Sequence, residues 1–285
     1  MAQQVIKQSK IIQAKQHTLS YEDKTLVMGI LNVTPDSFSD GGKFNQVDRA
    51  LQHAKQLVED GAHIIDIGGE STRPGAKLVS EQEELSRVIP VIEKISKEVD
   101  IPISIDTYKA AVADEALKAG ATIINDVWGA KADDQMAHVA AKHQVPIILM
   151  HNRPERNYTH LIPDMIADLK ESVQIVKRTG VRDDMIILDP GIGFAKNKVD
   201  NLTVMNELDT FCDLGYPVLL ATSRKRFIGA VLDLPPNERK EGTGATICLG
   251  IQKGSAMVRV HDVKEMARMA KMMDAMLNKG GVYHR

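Results

Sequence analysis

Short apolar runs of strand length recur along the chain, separated by longer segments whose apolar residues are spaced i, i+3, i+4. The runs predict buried strands and the spaced segments predict amphipathic helices. The eight predicted strands are residues 26–31, 63–67, 101–105, 122–127, 145–150, 185–188, 216–221 and 256–260. The eight predicted helices are residues 47–59, 81–99, 109–118, 133–142, 163–179, 199–214, 242–252 and 263–278.

Strand and helix therefore alternate eight times, which is the rhythm of an α/β protein of the (β/α)8 TIM-barrel type. An open doubly wound sheet is the alternative, but its usual GxGxxG segment after the first strand is absent. No linker, low-complexity tract or charge block interrupts the alternation, so we predict a single domain. The barrel is expected over residues 25–285, after a short N-terminal extension at residues 1–24 in which a hairpin near residues 11–21 is one possibility.

The first predicted strand runs into a polar loop that is rich in turn residues and hydroxyls. This loop holds Pro35, Gly41 and Gly42 together with the apolar side chain of Phe38. A phenylalanine among Ser, Asp and Gly is unusual in a solvated connector. The loop is therefore either an ordinary long connection or a segment that folds over a bound molecule.

Composition narrows the class of ligand. The net charge of -2 argues against a general nucleic-acid or anionic-membrane surface, so basic residues that matter should be placed locally, as for a small anion. Cys212 and Cys248 form no metal-binding pattern, and sparse thiols suit a reducing compartment. No apolar run approaches the ~20 residues of a membrane span, and the polar start lacks a signal-peptide core. We expect a cytoplasmic protein.

Polar side chains follow the carboxyl end of nearly every predicted strand, which is the face where barrel enzymes build their sites. Each could be a helix cap or a loop residue when taken alone. Their recurrence at the same end of eight predicted strands favours a functional site. In chain order they are Asn32; Glu70, Ser71, Thr72 and Arg73; Asp106; Asn125; His151; Asp189; Ser223, Arg224 and Lys225; and Arg259 with His261.

Arg259 interrupts an otherwise apolar strand and shares a strand face with His261. An unpaired guanidinium buried there would be strongly destabilising. Arg259 either pairs with a carboxylate as a structural charge or faces an open anion pocket. In the second case we expect uncompensated positive charge in the pocket. Removing Arg259 should then leave the stability of the protein unchanged or raise it.

Eight segments together resemble the dihydropteroate synthases, and the match runs in order through nearly the whole chain. They are NVTPDSFSDGG, IDIGGESTRPGA, SIDT, INDV, LMH, DPGIGF, TSRKRFIG and VRVHD. The first two and the SRK and RVH pair are specific, whereas SIDT or LMH alone is weak. The resemblance does not extend to Asn152, Arg153 and Pro154, so the loop after the fifth strand has no assigned role.

The resemblance implies a (β/α)8 barrel that joins the diphosphate ester of 6-hydroxymethyl-7,8-dihydropterin to 4-aminobenzoate and releases diphosphate. It also implies Mg2+, a homodimer and competition by sulfonamides. Residues that match the family's motifs receive roles by the same resemblance. Asp106, Asn125 and Asp189 hold the pterin, Lys225 donates to its ring oxygen and N5, and Met150 and Phe194 contact its faces. Arg73, Arg259 and His261 bind the diphosphate, and Thr72 lies beside it. Pro74 and Ser223 lie near the aminobenzoate. Asn32 contacts Mg2+. The predicted catalytic residues are Asp106, Lys225, Arg259 and His261.

Two other functions would share part of this sequence pattern. A barrel that transfers a methyl group from a reduced folate to a corrinoid partner would keep the pterin carboxylates but would not need the SRK and RVH segments. A catalytically silent paralogue should have lost Asn32, Arg73, Lys225, Arg259 or His261, and all five are present. The sequence therefore favours the synthase.

Overall fold

The computed structural model describes residues 10–33, 43–71 and 78–281. The strands are β1 (Ile11–Ala14), β2 (His17–Ser20), β3 (Leu26–Asn32), β4 (Ile64–Gly68), β5 (Ile103–Asp106), β6 (Ile123–Asp126), β7 (Ile147–Met150), β8 (Ile186–Asp189), β9 (Leu219–Leu220) and β10 (Met257–Val260). The α-helices are α1 (Lys43–Glu59), α2 (Glu81–Glu98), α3 (Ala110–Ala119), α4 (Met136–His143), α5 (Leu161–Arg178), α6 (Lys198–Asn206), α7 (Leu208–Cys212), α8 (Arg226–Leu232), α9 (Lys240–Gln252) and α10 (Val263–Met276).

Strands β3 to β10 form one parallel sheet of eight strands in the order β8-β7-β6-β5-β4-β3-β10-β9. The two ends of this order meet at a parallel bridge between Leu188 and Val218. The amide of Leu188 also donates to the carbonyl of Pro217 at 2.9 Å. The sheet therefore closes on itself, which confirms the predicted (β/α)8 barrel and makes the open-sheet alternative wrong.

Beyond shifts of up to four residues at helix ends, the structure differs from the helical predictions in two places. The segment predicted as one helix over residues 199–214 is two helices, because Glu207 between α6 and α7 has non-helical backbone angles (φ -110°, ψ 26°). Helix α8 was not predicted at all. It has only 7 residues, and such a short segment gives little helical periodicity to read.

The barrel interior has an apolar layer below a mostly polar one. Residues two apart on a strand share a face. The apolar interior side chains pack together: Leu26, Met28, Ile64, Ile123, Ile148, Ile187, Leu219 and Met257. Two positions further toward the carboxyl end of five of these strands stand Asp66, Asn125, Met150, Asp189 and Arg259. The interior thus changes from apolar to polar at the face where the candidate site lies.

The antiparallel β1–β2 hairpin covers the opposite end of the barrel. Its buried residues Ile12, Ala14 and Leu19 belong to the same cluster as the apolar interior layer. At the hairpin turn, Lys15 Nζ donates to the carbonyls of Leu117 and Ala121 at 2.9 and 3.0 Å. The hairpin therefore seals the apolar end and leaves the polar end to the loops.

The helices surround the barrel and bury a second, larger apolar cluster against the outer faces of the strands. This cluster includes Ile65 and Ile67 of β4, which alternate with the inward residues of that strand. Among the described helices, none is both long and apolar enough to cross a membrane.

Candidate active site

The carboxyl ends of four neighbouring strands bring predicted site residues into one row. Asn32 of β3 pairs in register with Gly68 of β4, Gly68 with Asp106 of β5, and Asp106 with Asn125 of β6. Adding a Cβ at Gly68 would place it 3.5 Å from the Cβ of Asp106. This row ends at the barrel mouth, so its three polar side chains share one rim.

Arg259 reaches across the barrel from β10 to two carboxylates. Its Nε donates to Asp66 at 2.5 Å, and its second terminal nitrogen donates to Asp106 at 2.5 Å. Asn125 Nδ2 donates to Asp66 at 3.2 Å. The expectation of uncompensated positive charge is therefore wrong, because Arg259 is paired twice within the site itself.

Burial and the ion pair have opposite effects on the protonation of Asp106. Burial raises the pKa of Asp106 to about 7, although the adjacent Arg259 favours its charged form. Burial would lower the pKa of Arg259, but Asp66 and Asp106 raise it above its ordinary value. Within the described residues, Asp106 Oδ1 is buried and has no hydrogen-bond partner. A buried acceptor of this kind suits a ligand donor.

A second group lies at the end of β8. Asp189 Oδ1 accepts the amide of Gly191 at 2.7 Å, and burial raises the pKa of the Asp189 carboxyl. Lys225 donates to the carbonyl of Ile192, and its ammonium stands 4.5 Å from the centre of the Phe194 ring. Burial lowers the pKa of Lys225 to about 8. A carboxylate, an amine and an aromatic ring thus converge on this part of the rim.

The segments that follow β9 and β10 are joined to each other. Ser223 Oγ lies 2.9 Å from His261 Nδ1 and accepts the His261 amide at 3.1 Å. Arg224, whose backbone is left-handed (φ 58°), forms a two-pronged ion pair with Asp262 at 2.6 and 3.0 Å. The two segments therefore hold a hydroxyl and an imidazole together at the site.

The structure brings most of the predicted residues to the carboxyl face of the barrel. Asp106 and Arg259 are in direct contact, as are Ser223 with His261 and Lys225 with Phe194. Asn32 and Asn125 lie on the row described above, and Met150 is in register with Asp189. The predicted residues Thr72, Arg73 and Pro74, and the loop that contains Phe38, lie outside the described residues.

Sequence reasoning missed Asp66 and Lys196. Asp66 is fully buried and accepts from both Arg259 and Asn125. Its signal was available, because a charged residue two positions after the inward Ile64 must point into the barrel. Lys196 lies in the segment after β8 and contacts His151, a residue that had no predicted role. No sequence pattern indicated that contact.

The arrangement can recognise a flat heterocycle and an anion side by side. Three buried carboxylates and an amide offer acceptors and donors to ring edges. Arg259, Lys225 and His261 supply positive charge or donors in a chain whose net charge is -2. Such a site can stabilise a charged leaving group next to a bound ring.

Comparisons with known proteins agree with this geometry. The family model described as "Pterin binding enzyme" matches residues 28–261. A dihydropteroate synthase from Bacillus subtilis (strain 168) is 72% identical over 284 residues, covering 100% of both chains.

Three solved structures share the fold. A dihydropteroate synthase from Clostridium difficile, determined in the presence of pteroic acid, has a TM-score of 0.89 and 53% identity, covering 90% of this chain and 98% of that one. The Xanthomonas albilineans enzyme with 4-aminobenzoic acid has a TM-score of 0.90 and 39% identity, covering 94% and 98%. The Yersinia pestis enzyme in a sulfonamide complex has a TM-score of 0.87 and 39% identity, covering 94% and 99%.

Proposed function

The chain belongs to the dihydropteroate synthase family of pterin-binding enzymes, and from this premise we propose which of its residues perform each part of the reaction. It is a transferase of folate biosynthesis. It condenses (7,8-dihydropterin-6-yl)methyl diphosphate with 4-aminobenzoate to give 7,8-dihydropteroate and diphosphate. The observation that carries the residue assignment is that Asn125 and Asp189 of the polar interior layer, together with Asp106 in register with Asn125, are buried at one end of the barrel.

The pterin is held by the carboxylates and amide of this layer. Asp189 accepts hydrogen bonds from the donor edge of the ring, and Oδ1 of Asp106, which has no partner among the described residues, accepts from a further ring donor. Asn125 supplies both a donor and an acceptor. Lys225 donates to the ring oxygen and N5, while Met150 and Phe194 contact the ring faces. The position of Lys225 beside the Phe194 ring supports this division.

The diphosphate binds beside the pterin, at Arg259 and His261. Nε and Nη2 of Arg259 donate to Asp66 and Asp106, so Nη1 is the nitrogen that faces the phosphate oxygens in this proposal. His261 is held by Ser223 at the same rim. Thr72 and Arg73 belong to this half of the proposal by their motif alone. Ser223 and Pro74 are assigned to 4-aminobenzoate and, because sulfonamides resemble it in shape and charge, to sulfonamide competitors.

Mg2+ is the proposed metal, and Asn32 is the residue that would contact it. The donor set fits, since Mg2+ commonly takes one or two protein oxygens and fills its other positions with water and substrate phosphates. Within the described residues there is no cluster of three or more His, Cys, Asp or Glu side chains suited to a metal. When bound, Mg2+ would neutralise charge on the diphosphate.

The mechanism uses positioning and charge more than proton transfer. The bond between the pterin methylene carbon and the diphosphate oxygen breaks, and Arg259 and His261 stabilise the negative charge that leaves. Positive charge at the methylene carbon spreads into the dihydropterin ring, close to the carboxylates of Asp106 and Asp66. The aminobenzoate nitrogen then forms the new bond to that carbon and loses a proton to water or to the released diphosphate. Fixed geometry at the rim brings the two substrates together.

A homodimer in the cytoplasm is proposed as the working form. Exposed apolar side chains on two neighbouring helices support the dimer: Val199 and Leu202 on α6, and Val231 and Leu232 on α8. Exposed apolar surface of this kind is typical of interaction sites. The free cysteines Cys212 and Cys248 suit a reducing compartment.

The proposed domain division is an N-terminal extension at residues 1–24 and a single barrel domain at residues 25–285.

The assignment is tested at Asp189. Wild-type enzyme should release diphosphate only when both substrates are present. Asp189→Asn keeps the size of the side chain but places an amide N–H donor opposite a donor of the pterin ring. The pterin affinity measured by calorimetry should therefore fall roughly tenfold or more. Asp184→Asn, which changes an exposed carboxylate in the turn before the same strand, is the control. Unchanged pterin affinity in folded Asp189→Asn would contradict the assignment.

A further inference from the structure

Lys196 lies in the segment that follows β8 and makes three polar contacts. Two are with backbone carbonyls of that segment, and one is with His151, the residue that follows β7. Its Nζ donates to the carbonyl of Gly191 at 3.0 Å and to the carbonyl of Phe194 at 2.9 Å. The same atom lies 3.1 Å from His151 Nδ1. Burial lowers the pKa of Lys196 to about 7. A partly buried lysine with three such contacts is held in a defined position.

The contact with Asp168 sets the tautomer of His151. An ionised carboxylate can only accept, so His151 Nε2 carries the proton and donates to Asp168 of α5 at 3.0 Å. Nδ1 is then left to accept from Lys196. Burial and the charge of Lys196 lower the pKa of His151 to about 3, in keeping with a neutral ring. Arg153 also donates to Asp168, at 2.6 Å. A chain of contacts thus runs from α5 through His151 to Lys196.

The turn bound by Lys196 has an unusual backbone. Gly191, Gly193 and Ala195 have left-handed conformations, with φ of 67°, 89° and 48°. A Cβ at Gly191 would overlap the carbonyl oxygen of His151, and Ala195 adopts a conformation that non-glycine residues disfavour. Such a turn needs outside contacts to hold one shape. Lys196 supplies them to the carbonyls of both Gly191 and Phe194.

This turn presents the groups assigned to the pterin. It follows Asp189, whose carboxylate accepts the Gly191 amide at 2.7 Å, and it contains Phe194. Lys225 reaches the same turn through the carbonyl of Ile192 and the Phe194 ring. A shift of the turn would therefore move the carboxylate, the ring and the amine together.

We propose that Lys196 is a positioning residue for the pterin half of the site, held in place by His151 and Asp168. The inference depends on the proposed assignment of Asp189, Phe194 and Lys225 to the pterin. It adds that the Asp168–His151–Lys196 chain fixes their geometry without touching the substrate. Small displacements of binding groups have large effects on binding and rate.

The test compares Lys196→Met with Lys198→Met. Both substitutions remove an amine, but Lys198 is exposed at the start of α6. Lys196→Met should raise the KM for the pterin diphosphate and the calorimetric Kd for unphosphorylated pterin roughly tenfold or more. The KM for 4-aminobenzoate at saturating pterin diphosphate should change less than about threefold. Lys198→Met should change none of these three constants.

Conservative variants separate positioning from general stability. His151→Asn retains an amide oxygen that can accept from Lys196, whereas His151→Leu has no acceptor. The loss of pterin affinity should be smaller in His151→Asn than in His151→Leu. In the His151→Leu/Lys196→Met double variant, the losses should be less than additive, because both substitutions break one chain of contacts.

The outcomes distinguish this inference from the proposed function. If Asp189→Asn loses pterin affinity but folded Lys196→Met does not, the positioning role is wrong and the pterin assignment stands. If neither variant loses affinity, both are wrong. Equal rises in both KM values for Lys196→Met would also overturn the inference, since they would indicate a general loosening of the barrel mouth.

Discussion

Arg259 holds together carboxylates that would otherwise repel one another inside the barrel. Asp66 and Asp106 each accept from its guanidinium at 2.5 Å. The same guanidinium is the group proposed to bind the diphosphate. A residue with both roles cannot be removed without a cost in stability, because two buried carboxylates would lose their partner.

Substituting Arg259→Met should therefore destabilise the protein, by about 3 to 5 kcal/mol, the usual cost of breaking a buried ion pair. Urea denaturation measures this. The Asp66→Asn/Arg259→Met double variant should recover part of the loss, because it leaves one fewer unpaired carboxylate. Affinity for free diphosphate should fall in both variants. An Arg259→Met variant as stable as wild type would show that the ion pairs of Arg259 contribute little to stability.

The pH dependence of kcat/KM for the pterin diphosphate should be bell-shaped. Burial raises the pKa of Asp106 to about 7, so its carboxylate gains a proton and loses its charge as pH falls through that value. Burial lowers the pKa of Lys225 to about 8, so its ammonium is lost as pH rises through that value. Both charges are present only between these pH values.

The variant Lys225→Arg tests the alkaline limb of this profile. An arginine stays protonated over the whole range, so the alkaline limb should move upward even if the maximum falls. Steady-state kinetics between pH 5 and pH 10 would measure it. An alkaline limb that stays near pH 8 in this variant would show that a group other than Lys225 titrates there.

Single residues were predictable from the sequence where strand periodicity alone fixes their direction. Asp189 and Asn125 end apolar runs, and the structure places both in the buried interior layer. The Arg259–Asp66 pair was not predictable, since β10 and β4 lie on either side of β3 and their relative register is set only when the barrel closes. Local pattern gives direction, whereas contacts between separate strands depend on tertiary geometry.

At the scale of elements, the loops after β9 and β10 behave as one unit. Arg224 and Asp262 join them by an ion pair, and Arg239 donates to the carbonyls of Arg224 and Lys225 at 3.0 and 3.3 Å. The left-handed backbone of Arg224 needs such support. The unit carries Ser223 and His261, so its rigidity determines their alignment.

Replacing Asp262→Asn should loosen this unit more than it destabilises the fold. The pair is partly exposed at Arg224 (37%), so we expect a stability loss of at most about 1 kcal/mol. The KM for 4-aminobenzoate should rise several-fold, because Ser223 loses its alignment. Glu265→Gln, which removes an exposed pair with Lys240, is the control. A large drop in melting temperature without a change in KM would contradict this reading.

Element positions were predicted well where amphipathic periodicity is long. Helices α2 and α5, with 18 residues each, were found within two residues of their ends. Helix α8, with 7 residues, was missed, and the break at Glu207 was not seen. Short helices and helix interruptions depend on local backbone angles and tertiary contacts, which hydrophobic spacing does not report.

At the scale of the whole molecule, the barrel separates stability from chemistry along its axis. The hairpin and the apolar layer fill one end, and the polar layer with its loops forms the other. Barrel enzymes generally show this division. Substitutions at the two ends should therefore affect different measurements.

The hairpin allows a matched test of this separation, because Ile11 and Ile12 are neighbours on β1 with opposite surroundings. Ile12 is 1% exposed and packs against the apolar interior, whereas Ile11 is 44% exposed. Ile12→Ala should lower the free energy of unfolding by about 2 to 5 kcal/mol, as buried isoleucine truncations do. Ile11→Ala should change it by less than about 0.5 kcal/mol. Both variants should keep the KM values for the two substrates at a temperature where they are folded. A change in KM in folded Ile12→Ala would mean that the apolar end transmits strain to the site and that the two ends are not independent.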